Sequence, residues 1–105
     1  MTLPNSVGVI GGGRMGAGIA HAFLVAGCRV ILVESTTSQA ADAEDRVATS
    51  LGRASDRGTL TEPLGTVRQR LHATHDSRDL AAATLVVEAV PEAVELKQRV
   101  LATAE

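Results

Sequence analysis

We predict an α/β fold in which helices cover both faces of a parallel sheet. Four short runs of the chain are apolar and often β-branched, as strands are when a parallel sheet buries both their sides. These predicted strands are Ser6–Ile10, Arg29–Val33, Leu71–Thr74 and Leu85–Ala89. Segments with helical periodicity separate them. Five glycines lie within Gly11–Gly18, between the first strand and the first helix.

The first predicted helix covers Met15–Ala26, where the apolar side chains fall on one helical face. Gly27 follows at the position where a helix C-terminus favours a left-handed residue. The two flanking strands and this helix make one strand–helix–strand unit of ordinary length.

Further helices are predicted in the rest of the chain. A long helix covers Thr37–Arg57, and a short one follows Thr61, its predicted N-cap, through about Arg70. A turn and a short helix are expected over Asp76–Ala82. The last predicted helix is Pro91–Ala104, with proline in its first turn.

The composition excludes several classes of function. The chain has 105 residues, enough for one small domain, with a net charge of −2 and a pI near 5.9. It therefore lacks the basic footprint of a protein that binds nucleic acid or an anionic membrane. The single cysteine, Cys28, forms no internal disulfide and fits a reducing compartment. No signal peptide or bilayer-spanning run is visible, so a cytoplasmic protein without a membrane partner is expected.

The glycines match a known phosphate-binding pattern. Gly11, Gly13 and Gly16 fit G-x-G-x-x-G, after a strand and at the start of a helix, which is typical of a Rossmann-type dinucleotide-binding fold. The first glycine permits a tight turn, the second lets the pyrophosphate approach the backbone, and the third lets the helix lie close to the sheet. Gly18 is expected to extend that close contact. The predicted cofactor-binding segment is Gly11, Gly12, Gly13, Arg14, Met15 and Gly16. Two alternatives stay open: the glycines serve loop geometry alone, or Arg14 is an ordinary surface residue.

Glu34 predicts which dinucleotide is bound. It follows the second strand, where an acidic residue about 20 residues after the glycines accepts hydrogen bonds from the adenosine ribose. A carboxylate there repels a 2′-phosphate, and Ser35-Thr36-Thr37 supply no arginine to bind one. NAD is therefore favoured over NADP, with a solvated glutamate at a strand end as the alternative.

Three segments resemble the N-terminal NAD-binding part of the L-3-hydroxyacyl-CoA dehydrogenase family, which includes 3-hydroxybutyryl-CoA dehydrogenases. They are VGVIGGGRMGAGIAHAF, VILVE and LVVEAVPEAVELK, within Val7–Glu34 and Leu85–Lys97. The continuation M-G-x-G-I-A and the block E-A-V-x-E make the resemblance more specific than the glycine pattern alone. Family members more often carry aspartate where this chain has Glu34.

The resemblance implies roles for further residues. The strand end at Ala89 and Val90, together with Glu92 and Lys97, is expected to contact the nicotinamide side of the cofactor. Ser50 and Arg57 fall where the long second helix of the family contacts coenzyme A, the carrier of its acyl substrate. Apart from the resemblance, Glu92 and Lys97 are polar residues at the start of a helix, and Ser50 and Arg57 are ordinary surface residues.

No catalytic residue is assigned. The acid–base histidine of the family, its partner glutamate and its substrate-binding serine and asparagine lie downstream of the motifs present here. His21 stands where the family tends to have glutamine, so it is expected to be structural or at the surface. His72 and His75 lack metal-like spacing.

We therefore expect residues 1–105 to be a partial NAD(P)-binding Rossmann domain, truncated after about four strands, without the catalytic remainder and the C-terminal helical domain. In the usual strand order 3-2-1-4, Leu85–Ala89 is left with an open edge, which favours a homodimer or other self-association. The expected parent is an oxidoreductase that interconverts L-3-hydroxyacyl-CoA and 3-oxoacyl-CoA with NAD. The alternatives are a stand-alone or partner-assembled NAD-binding module without catalysis, and a related hydroxyacid or sugar-acid dehydrogenase.

Overall fold

The computed structural model describes residues 3–11 and 13–90 and the backbone of residues 95–100. The first strand–helix–strand unit is β1 (Ser6–Ile10), α1 (Gly13–Val25) and β2 (Arg29–Val33). It is followed by α2 (Thr37–Asp56), α3 (Leu64–Arg68) and β3 (Leu71–Thr74). A 3₁₀ helix (Ser77–Ala82), β4 (Leu85–Val90) and β5 (Glu95–Val100) complete the described elements.

The strands form one sheet in the order β3-β2-β1-β4-β5. The first four are parallel, as the apolar runs predict, and they occupy the order 3-2-1-4. Ile10 of β1 pairs with Val33 of β2 on one side and with Glu88 of β4 on the other. The carboxyl ends of β1, β2 and β4 therefore meet at one edge of the sheet, which is where open α/β sheets bind ligands.

Two cores lie on the two faces of the sheet. The larger one joins alternate residues of the central strands to α1, α2 and α3, and it includes Val9, Leu24, Leu32 and Leu51. The smaller one places Ile31, Val33 and Val86 against the 3₁₀ helix. The helices α1 and α2 pack against each other on one face, because both crossovers move in the same direction along the sheet and such crossovers share one hand. Helices thus cover both faces, the second through the 3₁₀ helix.

The predicted last helix is wrong over residues 95–100. These residues form β5, which runs antiparallel to β4 and pairs Val90 with Glu95 through Leu85 with Val100. The unpaired backbone groups of an apolar edge strand are satisfied by this pairing, which outweighs a local helical pattern. The open edge expected at Leu85–Ala89 is therefore covered. The remainder of Pro91–Ala104 lies outside the described residues.

The short helix predicted from Thr61 begins later, at Leu64, and its N-cap is Pro63, without a side-chain cap. The residue before a proline is disfavoured in the helical conformation, so Glu62 cannot extend the helix toward Thr61. Glu62 instead accepts two hydrogen bonds from the Arg70 guanidinium, at 2.7 and 3.0 Å. This pair joins the segment before α3 to the segment between α3 and β3.

No helix of the described residues is long and apolar enough to span a membrane.

Candidate functional site

A tight glycine turn joins β1 to α1. Gly11 and Gly13 have φ angles of +63° and +53°, in the left-handed region that glycine adopts without strain. The Gly11 N–H donates to the Val33 carbonyl oxygen at 2.8 Å, which ties the turn to the end of β2. Gly12 lies outside the described residues.

The third glycine of the pattern allows a close backbone approach. A Cβ atom on Gly16 would overlap the carbonyl oxygen of Gly11. The first turn of α1 thus lies directly against the glycine turn, and no larger residue fits between them. A Cβ on Gly13, by contrast, would meet no atom within 4 Å. Open space therefore lies in front of Gly13, where the predicted pyrophosphate would approach.

The N-terminus of α1 opens onto that space. Its first turn carries no acidic residue, and Arg14 is exposed while Met15 is partly buried. The free N–H groups of a helix N-terminus and its positive dipole end favour a bound anion. The turn and the helix terminus together make a cradle for phosphate groups.

Glu34 lies directly after β2, beside this cradle. Its N–H donates to the Thr74 carbonyl oxygen at 2.9 Å, which holds the link from β2 to α2 against β3. Partial burial raises the pKa of the Glu34 carboxyl, and the positive charge of Arg46 acts in the opposite direction. The carboxyl is only partly covered, so it can accept hydrogen bonds from a ligand at the carboxyl edge of the sheet.

The end of β4 flanks the cradle on its other side. Because Ile10 pairs with Glu88, Ala89 and Val90 continue β4 beside the glycine turn, and Ala89 is buried. Lys97 was expected to lie on the last helix. It lies instead in β5, paired with Glu88 of β4. Glu92 lies outside the described residues. The nicotinamide-side roles of these four residues stay predictions.

A groove of about 630 Å³ runs between α1 and α2. Its wall carries Arg14 from α1, with Arg46 and Arg53 from α2. Its other lining residues are Ala17, Gly18, Asp45, Thr49 and Ser50. The prediction that Gly18 extends the close contact of α1 with the sheet is wrong. A Cβ on Gly18 would meet no atom within 4 Å, and Gly18 instead opens this groove.

The two residues predicted to contact coenzyme A are placed differently. Ser50 lines the groove, where its Oγ lies 2.8 Å from His21 Nδ1 across the two helices. Arg57 is exposed at the C-cap of α2 and is not among the lining residues. The predicted pair is therefore not brought together in the groove, and Arg53 joins Ser50 there in place of Arg57.

Arg46 and Arg53 were not predicted as site residues, because the net charge of the whole chain hides a local cluster of arginines. A signal was present: Arg46, Ser50 and Arg53 have the spacing i, i+4, i+7, which places side chains on one face of a helix. Gly18, two residues beyond the glycine pattern, belongs to the same groove.

The remaining reactive groups have partners within the fold. His72 Nε2 lies 3.1 Å from Asp79 Oδ2, and His75 Nδ1 lies 3.3 Å from Thr37 Oγ1. Cys28 is buried, and burial raises the pKa of its thiol, as expected for a packing residue. Among the described residues, no group of three histidine, cysteine or acidic side chains could hold a metal ion.

Comparison with known proteins agrees with this geometry. Residues 6–105 match the sequence profile of the family described as 3-hydroxyacyl-CoA dehydrogenase, NAD binding domain. The chain belongs to this family. The Rossmann-type fold, NAD as the cofactor and the family resemblance predicted from the sequence are thereby confirmed.

Relatives in this family are longer than the chain. A probable 3-hydroxybutyryl-CoA dehydrogenase of Deinococcus radiodurans is 37% identical over 90 residues, which are 86% of this chain and 32% of that protein. The 3-hydroxyadipyl-CoA dehydrogenase of Escherichia coli is 38% identical over 92% of this chain and 21% of its own length. The crystal structure of M. tuberculosis FadB2 matches with a TM-score of 0.77 and 36% identity, over 85% of this chain and 32% of that one. The chain thus spans about a third or less of the length of these relatives.

The described residues fit NAD, the cofactor of this domain family. The open space at Gly13 and the α1 terminus suit a pyrophosphate, and the carboxyl of Glu34 suits the ribose hydroxyls.

Proposed function

We propose that the chain is the cofactor-binding part of a dehydrogenase that interconverts L-3-hydroxyacyl-CoA and 3-oxoacyl-CoA with NAD. The observation that carries the proposal is the placement of Glu34 and the glycine turn at adjoining strand ends, joined by the hydrogen bond from Gly11 N to the Val33 carbonyl oxygen. The names of the relatives support acyl-CoA thioesters as the substrate class.

The role of the described residues is to bind and orient. The glycine turn and the α1 terminus hold the pyrophosphate, and Glu34 fixes the adenosine ribose. When bound, the nicotinamide supplies hydride transfer to or from the carbon that carries the 3-hydroxyl group, and the protein positions the two reacting carbons. We propose that Ala89, Val90, Glu92 and Lys97 contact the nicotinamide side.

The proton that accompanies hydride transfer is handled by a group outside the part of the chain that the structure describes. The three histidines described have other partners, with His21 on Ser50, His72 on Asp79 and His75 on Thr37. None of them lies at the end of β4, where the nicotinamide would be. We therefore propose that residues 1–105 are the nucleotide-binding part, and that other residues of the dehydrogenase supply acid–base catalysis.

The groove between α1 and α2 is proposed to take the nucleotide end of coenzyme A. Its three arginines can pair with phosphate groups, which planar guanidinium groups bind well. Ser50 contributes a hydroxyl to the same groove, and Arg57 at the end of α2 would reach the phosphates from outside it.

Calorimetric titration with acetoacetyl-CoA, in the presence and absence of NADH, tests this function. Saturable binding that NADH does not compete away is expected, because the groove and the glycine turn are separate sites. Binding of NADH without any binding of acetoacetyl-CoA would point instead to an NAD-binding module or to a dehydrogenase of another substrate.

Homodimerisation and a cytoplasmic location stay predictions. The expected open edge at β4 is covered by β5, so an association through the sheet would use β3 or β5. Light scattering at several protein concentrations measures the oligomeric state directly.

A further inference from the structure

A polar pair joins the two walls of the groove. His21 on α1 and Ser50 on α2 approach to 2.8 Å between Nδ1 and Oγ, and the pair is partly buried. Ser50 lines the groove, whereas His21 stands behind it and is not among the lining residues. His21 can therefore act on a ligand in the groove only through Ser50.

The direction of this hydrogen bond decides what Ser50 offers to a ligand. A serine hydroxyl carries one proton and two lone pairs. If Ser50 donates to His21, its oxygen presents only lone pairs to the groove, which a phosphate cannot use. If His21 Nδ1–H donates to Ser50, the hydroxyl proton is free to donate to a phosphate oxygen.

We propose that His21 is a positioning residue that donates from Nδ1 to Ser50 and so directs the Ser50 hydroxyl proton toward a phosphate group in the groove. The inference rests on the proposed function, because it takes the groove as the site of a phosphate-bearing ligand. Hydrogen bonds to a charged acceptor are the strong ones, so the orientation of one hydroxyl has a measurable effect on affinity.

The test is calorimetric binding of adenosine 3′,5′-bisphosphate to the whole chain, with folding of each variant checked by circular dichroism. Ser50→Ala is expected to weaken binding about tenfold, since it removes one hydrogen bond to a charged group. His21→Leu is expected to weaken binding by a smaller factor, because the Ser50 hydroxyl stays but is no longer oriented by a donor. The double variant is expected to bind no more weakly than Ser50→Ala alone, because His21 acts only through the Ser50 hydroxyl. His75→Leu is the matched control, since it removes a second histidine–hydroxyl pair, outside the groove, and should leave the affinity unchanged.

A second measurement separates positioning from packing. His21→Gln keeps a hydrogen-bond donor at this position and is expected to retain most of the affinity that His21→Leu loses. In the parent chain, the imidazole ¹⁵N shifts of His21 should move toward those of a protonated Nδ1 when the bisphosphate is added.

Several outcomes would overturn the proposal. Equal affinity of His21→Leu and the parent chain, additive losses in the double variant, or an Nδ1 that stays unprotonated in the complex would each do so. These results leave the proposed function intact if acetoacetyl-CoA still binds. Absence of bisphosphate binding by the parent chain would overturn both this inference and the assignment of the groove.

Discussion

Gly16 lies so close to Gly11 that a Cβ atom on Gly16 would overlap the Gly11 carbonyl oxygen. The first turn of α1 is therefore seated directly on the glycine turn, and the obstacle to a larger residue is backbone, which cannot swing aside. This seating holds Gly13 at the mouth of the helix with open space in front of it. The arrangement makes Gly13 the position where a side chain would enter the cofactor site without disturbing the core.

Replacing Gly13 with alanine should weaken NADH binding strongly. The new Cβ would enter the space of the pyrophosphate, and the φ of +53° would cost roughly 1–2 kcal/mol of stability for a residue with a side chain. Gly58→Ala is a matched control, because Gly58 has a φ of +72° and open space around it, but lies after α2. Both variants should lose similar stability in urea unfolding, and only Gly13→Ala should lose NADH affinity. An equal NADH affinity for the two would contradict the role given to Gly13.

The cofactor preference should respond to Glu34. The double variant Glu34→Ser, Ser35→Arg removes the carboxylate that repels a 2′-phosphate and adds a cation that binds one, while Arg46 already supplies positive charge nearby. We expect the ratio of NADPH to NADH affinity to rise by about tenfold or more. Glu34→Asp is the control and should keep the preference for NADH. An unchanged ratio in the double variant would mean that Glu34 does not face the ribose.

A substitution at Gly18 tests whether the groove between α1 and α2 binds the nucleotide end of coenzyme A. Gly18→Ala adds a methyl group to the open groove, and about a five- to tenfold loss of affinity for acetoacetyl-CoA is expected from the narrower space. Gly52→Ala is the control, since Gly52 is also helical with open space at its Cβ but does not line the groove. Both variants should gain stability, by up to about 1 kcal/mol, because alanine is the better helix former. A loss of binding in both, or in neither, would contradict the assignment.

Asp76 is expected to contribute to the loss of folding stability at low pH. Hydrogen bonds from the Arg78 side chain and backbone lower the pKa of Asp76 from 3.8 to about 2. A carboxyl with a depressed pKa contributes stability that is complete above pH 4 and is lost as the pH falls toward 2. Asp76→Asn keeps an N-cap for the 3₁₀ helix but cannot ionise. Its melting temperature should therefore fall less between pH 4 and 2 than that of the parent chain, and parallel curves would refute this role.

The four parallel strands could be predicted from the sequence, because short apolar runs bounded by glycine or polar residues are typical of buried strands in a parallel sheet. Glu34 and the glycine turn could be predicted because their spacing is set by backbone geometry. β5 could not, since its residues also fit a helical pattern, and the unpaired edge of β4 decides between the two. Tertiary pairing of this kind outweighs local propensity.

The groove could not be predicted from the sequence, because it depends on how α1 and α2 pack against each other. Ser50 was predicted from the resemblance. The spacing of Arg46 and Arg53 places them on the same helix face as Ser50, but the groove exists only because α1 brings Arg14 and Gly18 to face them. Likewise, the hydrogen bond between His21 and Ser50 joins residues far apart in the chain, and no local pattern indicates it.

The most direct measurement is a titration of the chain into NADH, and separately into NADPH, followed by nicotinamide fluorescence. The sequence has no tryptophan or tyrosine, so the cofactor signal is free of their emission. Saturable binding of NADH with much weaker binding of NADPH is the predicted result, because the glycine turn holds the pyrophosphate and Glu34 repels the 2′-phosphate. Equal binding of the two cofactors would contradict the role of Glu34, and binding of neither by the folded chain would contradict the cofactor site itself.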